Sequence, residues 1–376
     1  MDFELTKQQE FLIKTVREFG EKEIIPIEND IEEKNDIPNE LIKKMGKLGI
    51  LGIPVDKKYG GIGGSYVDLS IAVEELARIN GAAAFMVAVN YLGVITIDHQ
   101  GSEEQKAKWL PKLVSGECLG AFSFTEHSTG SDPREIYATA KLEGDQYICN
   151  GRKGFTTGAT YDGPVILFLR TGEPGEVTAF VAEKNLDGYS TPTIWPLVGL
   201  RGMKVADIQL DNFKIPVQNR LNEEGKGFSV LLDTISVGKV DVSCAALGMA
   251  QAALDEAMKY AKDKTMRGKP IGTFQMVQNE IAEMAADVEA ARWLLRRTMH
   301  LIDMKKATLA DCAKAKYFCS KMADSVCHRA MTVHGGYGYS TEFRIERIWR
   351  DAKFCGLVEG NDVIQKVIIA RDILGI

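Results

Sequence analysis

Paired cysteines, a leader segment and clustered basic residues are all missing from this chain of 376 residues. Its seven cysteines (118, 149, 244, 312, 319, 327 and 355) include no C-x-x-C pair and are odd in number. That excludes a disulfide framework and points to reduced thiols in a cytoplasmic protein. Cys319, Cys327 and His328 lie near one another but without ligand spacing, so no metal site is expected. Lysine and arginine total 46 against 52 acidic residues, a net charge of -6 that argues against nucleic-acid binding as the main task. The opening MDFELTKQQE has neither the basic and apolar regions of a signal peptide nor the Arg/Ser richness of a transit peptide. No apolar run is read as reaching the roughly 18 residues of a bilayer span, so membrane insertion is not expected. A dinucleotide fingerprint is absent too. In GGIGGSY, Tyr66 takes the third glycine position and no strand leads in, and HGGYGYS fails similarly. These glycines read as turns.

What is present is a texture that changes twice. Residues 1–118 read as helical: Leu12, Val16 and Phe19 recur at spacings of four and three, on one helix face. DLSIAVEELARING continues as a helix with Gly81 as its expected terminator, after the glycine-rich loop IPVDKKYGGIGGSYVD. Residues 119–222 carry short apolar runs between Gly, Pro, Asp and Asn, with GPVILFLR, EVTAFVAEK and VADIQLDNF as strands. In the last, Ala206, Ile208 and Leu210 alternate with Asp207, Gln209 and Asp211, which predicts a half-buried strand with the polar set on its other face. Helical periodicity returns over 223–376. Val277, Ile281, Met284, Val288, Ala291 and Leu295 mark one long helix, and Leu247, Ala250, Leu254 and Ala257 another, suggesting an antiparallel bundle.

Two segments carry chemistry. AFSFTEHSTGSDP opens the β domain with Thr125, Ser128, Thr129 and Ser131 beside Gly130. Such hydroxyls and free amides suit a ligand with carbonyls and phosphates, and equally a polar turn between domains. In KFCGLVEGNDVIQK, Glu359 follows Cys-Gly-Leu-Val and precedes a glycine. It is either a surface residue at a turn or a buried base whose apolar neighbours raise its pKa.

Four segments, in order, resemble the flavin-dependent acyl-CoA dehydrogenases. AFSFTEHSTGSD is similar to the family's T-E-P-x-A-G-S-D loop, and GRKGFTTGA to its K-x-W-I-T-N segment. DKTMRGKPIGTFQ resembles R-x-x-F-G-K-P-I-x-x-F-Q. HGGYGYSTEF through WRDAKFCGLVEGNDVIQ resembles G-G-x-G-(Y/F) followed by R-D-A-K-I-x-x-I-Y-E-G-T-x-x-I-Q. The resemblance covers nearly the whole chain. It implies an α+β fold with an N-terminal helical domain (1–118), a middle β-barrel-like domain (119–222) and a C-terminal four-helix bundle (223–376).

The resemblance also implies one FAD per subunit, clasped between the β domain and the C-terminal bundle. Phe122, Phe124, Thr125 and Ser131 then fall on the loop against the flavin ring, with Phe155 in place of the family's Trp and Thr156 and Thr157 beside it. Lys264, Gln275, Gly335, Gly336 and Asn361 fall on further cofactor positions, and Ser131, Lys239, Val358 and Gly360 on the substrate side. Several of these depart from the family. Lys264 stands where an Arg meets the pyrophosphate, and Arg267 where a Phe is usual, a cation displaced by almost one helical turn. Thr332 replaces a Gln near the adenosine half, Asn361 the Thr after E-G, and Lys239 a usual Arg. Glu359 matches the catalytic base; the alternative base position of some branches is Gly238 here. The implied reaction interconverts an acyl-CoA and its 2-enoyl-CoA in either direction, with electron-transferring flavoprotein as redox partner and a homotetramer as assembly. Val358, where a Tyr is common, leaves room for a bulky or aryl acyl group of caffeoyl type, unless a neighbour such as Tyr91 fills the space. The rival readings are an acyl-CoA oxidase, whose chains usually extend further beyond the base, and a non-catalytic flavin or acyl-CoA binding subunit.

Overall fold

Reciprocal capping boxes start four of the helices. Thr6 with Gln9, Ser65 with Asp68, Ser102 with Gln105 and Thr308 with Asp311 each satisfy two orphan backbone donors. The structure is a computed structural model that describes residues 4–132 and 135–376. Its N-terminal part comprises α1 (Lys7–Phe19), α2 (Glu28–Lys34), α3 (Asn39–Lys47), α4 (Tyr66–Ile79), α5 (Gly81–Gln100) and α6 (Glu103–Ser115). Leu12, Val16 and Phe19 of α1 turn to the core, as their spacing predicts. Gly81, expected to end a helix, instead begins one. Asn80 closes α4 in an extended conformation, and its side chain accepts the Ala83 N–H to cap α5. A Cβ on Gly81 would lie 2.9 Å from Met249 Sδ and 3.1 Å from Asp351 Oδ2, so the glycine permits a close approach.

The expectation that no apolar run could span a bilayer also needs correction. Helix α5 is long and apolar enough by composition, yet 89% of its apolar window is buried inside the protein. A helix apolar all round belongs in an interior, and α5 packs against α4, α6, α7 and the sheet.

The middle part holds β1 (Ala121–Ser123), β2 (Thr139–Glu143), β3 (Gln146–Thr156), β4 (Pro164–Arg170), β5 (Val177–Glu183), β6 (Tyr189–Ile194), β7 (Ala206–Pro216) and β8 (Arg220–Leu221). They pair in the order β6-β7-β3-β2-β4-β5-β8, with β1 parallel to β4. Period two divides β4 between two cores. Val165, Leu167 and Leu169 enter the β domain's own interior, while Ile166 and Phe168 face the helices. That double burial is why PVILFL reads as a continuous apolar run.

The C-terminal part is built on α7 (Gly227–Asp263), followed by a hairpin of β9 (Thr265–Met266) and β10 (Lys269–Pro270), then α8 (Gln275–Asp303), α9 (Leu309–His334), α10 (Ile345–Ala352) and α11 (Asp362–Leu374). Helix α7 packs on α8 and α9 and, across the molecule, on α4 and α5. Leu247, Ala250, Leu254 and Ala257 lie on its buried side.

Candidate active site

Between α10 and α11 the chain makes a tight loop in which Glu359 (φ 52°) and Gly360 (φ 77°) are both left-handed. A glutamate in that region costs about 1–3 kcal/mol unless its surroundings hold it. Here Lys239 Nζ and Gln365 Nε2 each donate to the Glu359 carbonyl at 3.0 Å, and Gln365 Nε2 also reaches the Gly360 carbonyl at 2.6 Å. Asn361 fixes the next turn by accepting the Val363 and Ile364 amides, capping α11. The loop therefore presents Glu359 from a rigid frame.

Its carboxylate lies against α7. A Cβ on Gly238 would meet Glu359 Oε2 at 3.1 Å and Leu92 Cδ2 at 2.5 Å, so that position suits the absence of a side chain. Oε2 is sealed from solvent and receives no hydrogen bond among the described residues. Burial pushes the Glu359 carboxyl above its ordinary range, and the charges of Lys239 and Lys316 oppose that only in part. Lys239 is itself held low, chiefly by burial. Val358 packs on the helical core beside the loop.

A second set of residues gathers at the β-domain edge. The β3–β7 register shifts between Lys153 and Thr156, and within that irregularity Phe155 adopts φ 52°. The residue is 56% exposed, and its ring stacks on Trp195 at 4.8 Å and 14°. Asp207 holds this pair. Its carboxylate accepts from Trp195 Nε1 and Arg152 Nη2 at 2.7 Å, is bonded to His127 Nε2 at 2.9 Å, and takes the Phe155 N–H at 3.3 Å. Burial alone would raise Asp207, but the bonds from Trp195, Arg152, His127 and Phe155 hold it below the usual carboxylate range. The loop 124–132 is anchored by Glu126, which accepts Lys153 Nζ at 2.7 Å and the Tyr137 and Ala138 amides at 2.8 and 3.0 Å. Lys153 is wholly buried, and burial pulls it down to about 8 despite that partner.

Period two had placed Asp207 on the polar face of its strand; it is instead fully buried under the Phe155–Trp195 pair. Thr156 points inward, its hydroxyl 2.6 Å from Ser123 Oγ, while Thr125 and Thr157 are half-buried at the edge. Phe122 contacts Phe168 and Phe124 edge-on at 5.0 and 6.2 Å. Ser131 is exposed, with Asn361 Nδ2 3.5 Å from its Oγ, so the Glu359 loop and the β-domain loop meet there.

Lys264, Gly335 and Gly336 form a separate cluster, and Gln275 begins α8. All four are exposed, and Lys264 Nζ sits 4.7 Å over the Tyr337 ring, next to the two glycines. A Cβ on Gly335 or Gly336 would meet nothing within 4 Å. Arg267 is not one helical turn from Lys264. With Gly268 it forms the left-handed corner (φ 53° and 79°) of the β9–β10 hairpin. The Thr332 hydroxyl is bonded within its helix to the His328 carbonyl at 3.0 Å. Helix α7 keeps this cluster away from Glu359: Gly238 and Asp263 are separated by about 38 Å at about 1.5 Å per residue. Within one copy of the chain these residues therefore stand apart from the Glu359 loop.

Family models for the acyl-CoA dehydrogenase N-terminal, middle and C-terminal domains match residues 6–117, 121–213 and 225–374. The chain is 35% identical to the short-chain specific acyl-CoA dehydrogenase of Clostridium acetobutylicum, over 99% of this chain and 100% of that one. It belongs to the acyl-CoA dehydrogenase family. A subunit of the caffeyl-CoA reductase–Etf complex of Acetobacterium woodii is 36% identical over 98% of this chain and 99% of its own. The solved butyryl-CoA dehydrogenase from Megasphaera elsdenii has a TM-score of 0.96 at 34% identity, covering 100% of both chains.

Acyl-CoA dehydrogenases are flavin-dependent oxidoreductases, and the residues at the β-domain edge fit a flavin. A half-exposed aromatic plane, Phe155, is held in a left-handed conformation by a buried carboxylate and faces open space next to polar loop residues. The roles of Asp207, Glu126 and Lys153 escaped the sequence reading. Glu126 and Lys153 lie inside the motifs TEHSTGSD and GRKGFTT, so their type and place were visible, but not their burial.

Proposed function

We propose that this acyl-CoA dehydrogenase interconverts an acyl-CoA and its 2-enoyl-CoA, with Glu359 as the group that moves the α-proton. The observation that carries this is Glu359 itself, its Oε2 sealed from solvent, its pKa raised and its carboxylate set against Gly238 from a left-handed loop. The α-proton of a thioester is weakly acidic, so its base needs a pKa above the ordinary carboxylate range. Burial does that here, while Lys239 and Lys316 keep the ionised form accessible. The Glu359 N–H makes no hydrogen bond among the described residues and is free to polarise the thioester carbonyl, opposing charge that develops on its oxygen. Bound FAD supplies hydride acceptance or donation at the β-carbon. Phe155, Thr125, Thr157 and Asn361 would hold its ring end, and Lys264, Gln275, Gly335 and Gly336 of a second copy its ADP end.

That division supports a homo-oligomer, proposed as a homotetramer. The relative named as part of an Etf complex supports electron-transferring flavoprotein as redox partner. A bulky or aryl 2-enoyl-CoA, reduced physiologically, is favoured by Val358 and by Tyr91. The Tyr91 hydroxyl is tied to the Ile53 N–H at 2.7 Å and the Ile50 carbonyl at 2.9 Å, so its ring is not free to fill space beside Val358. Glu359→Gln tests the central reading. It should keep its flavin while turnover falls at least about a hundredfold; turnover within about tenfold of wild type would overturn the assignment.

A further inference from the structure

Asp241 is buried in the middle of α7, and neither of its carboxyl oxygens receives a hydrogen bond among the described residues. Buried polar groups in native proteins are almost always partnered, so one left without a partner calls for an explanation. Asp241 stands one turn past Gly238, on the same face of α7. Gly238 is where α7 meets Glu359 Oε2, so this face forms the wall opposite the proposed base. The charge of Glu359 acts on Asp241, and that of Asp241 on Tyr66 and Tyr91.

Four of the neighbouring polar side chains, those of Lys239, Ser243, Cys244 and Tyr91, are already engaged. Lys239 Nζ is held by the Glu359 carbonyl, Ser243 Oγ donates to the Lys239 carbonyl at 2.8 Å, and Cys244 Sγ to the Val240 carbonyl at 3.1 Å. The Tyr91 hydroxyl donates to Ile50 and accepts from Ile53. An apolar side chain at 241 would avoid the desolvation of a carboxyl group, so its presence beside the reacting position asks for a ligand group that completes it.

We propose that Asp241 determines substrate specificity by binding a hydrogen-bond donor, a hydroxyl or an ammonium, carried on the acyl chain of the CoA thioester. This rests on the reading of Glu359 as the base, since that reading puts the acyl chain along this wall. A site built to bond a donor discriminates steeply against the analogue lacking it, because the protein group is then left unpaired.

The test uses flavin-loaded wild type, Asp241→Val and the near-isosteric Asp241→Asn with matched thioesters. The pairs are 5-hydroxyvaleryl-CoA and 5-aminovaleryl-CoA against valeryl-CoA with oxidised flavin, and 4-coumaroyl-CoA against cinnamoyl-CoA with reduced flavin. In at least one pair, wild-type kcat/KM should favour the donor-bearing member by about tenfold or more. That ratio should collapse toward one in Asp241→Val and persist in part in Asp241→Asn, which keeps a carbonyl acceptor. The pair that responds tells hydroxyl, ammonium and phenol apart. Wild-type ratios within about twofold for every pair overturn the inference, as does a ratio unchanged in both variants. Thioester binding, read from perturbation of the flavin spectrum, separates the two proposals. Donor preference in binding that depends on Asp241, without any redox change, keeps this inference and overturns the reaction. Turnover abolished by Glu359→Gln, with no donor preference, does the reverse.

Discussion

Asp207→Ala removes a carboxylate on which Trp195, Arg152, His127 and the Phe155 N–H converge. The side chains of Arg152 and His127 are 43% and 46% exposed, so water replaces their lost bond and they add little. Trp195 Nε1 and the Phe155 amide are less able to recover. Hydrogen bonds to a charged group are worth about 1.5–3 kcal/mol each, and the 3.3 Å Phe155 contact belongs at the lower end. The expected destabilisation is about 3–4.5 kcal/mol, enough to be a large part of a domain's stability. Released from Asp207, Phe155 also loses the bond that steadies its left-handed backbone, so flavin retention should fall with stability. Urea denaturation followed by tryptophan fluorescence gives the first quantity, and flavin absorbance after dialysis the second. Asp207→Asn keeps one acceptor oxygen and should lose less. Stability of Asp207→Ala within about 0.5 kcal/mol of wild type, the range of an ordinary surface change, would refute the reasoning.

Burial pushes Asp351 up to about 7, opposed mainly by its bond from the Leu200 N–H at 2.5 Å. The folded state thus holds this proton more tightly than the unfolded chain, so the contribution is whole below the ordinary value of 3.8 and is lost as pH rises through about 7. Asp351→Asn should flatten the decline in stability between pH values of about 4 and 7; equal pH slopes in both proteins would count against it. Val358→Tyr should shift kcat/KM away from aryl-acrylyl-CoA toward crotonyl-CoA, and an unchanged ratio would remove the bulky-substrate reading. Lys264→Ala should lower flavin occupancy and, if a second copy supplies this residue, dilution that dissociates the wild-type oligomer should release flavin too. Retention of flavin by isolated wild-type chains would contradict the two-copy cofactor site.

The sequence made legible whatever depends on period and local chemistry. PVILFL announced a strand, and the α7 and α8 stripes announced helices, because repeat and burial are locally coupled; that the strand is buried on both faces emerged only from the structure. Gly81 was misread because its reason is tertiary: Met249 and Asp351 crowd it, and Asn80 supplies the cap. Asp207 was misplaced because alternation assigns a face but cannot anticipate that a bulge in β3 and a tryptophan after β6 converge on it. Asp241 gave no signal, since an acid within a helix reads as solvent-facing. The motif around Lys264 gave no local signal of its distance from the Glu359 loop, which is set by the unbroken length of α7.

The buried apolar helix α5 also has a consequence for how the chain is made. Much of what covers it comes from α7, whose packing residues lie about 150 positions later in translation. At about 5–20 residues per second, the ribosome needs about 8–30 s to deliver them. Throughout that interval the nascent chain displays a 20-residue segment that meets the length and hydropathy of a membrane span. An apolar segment that waits so long for its α7 cover is a site of aggregation during synthesis, whatever the stability of the finished fold.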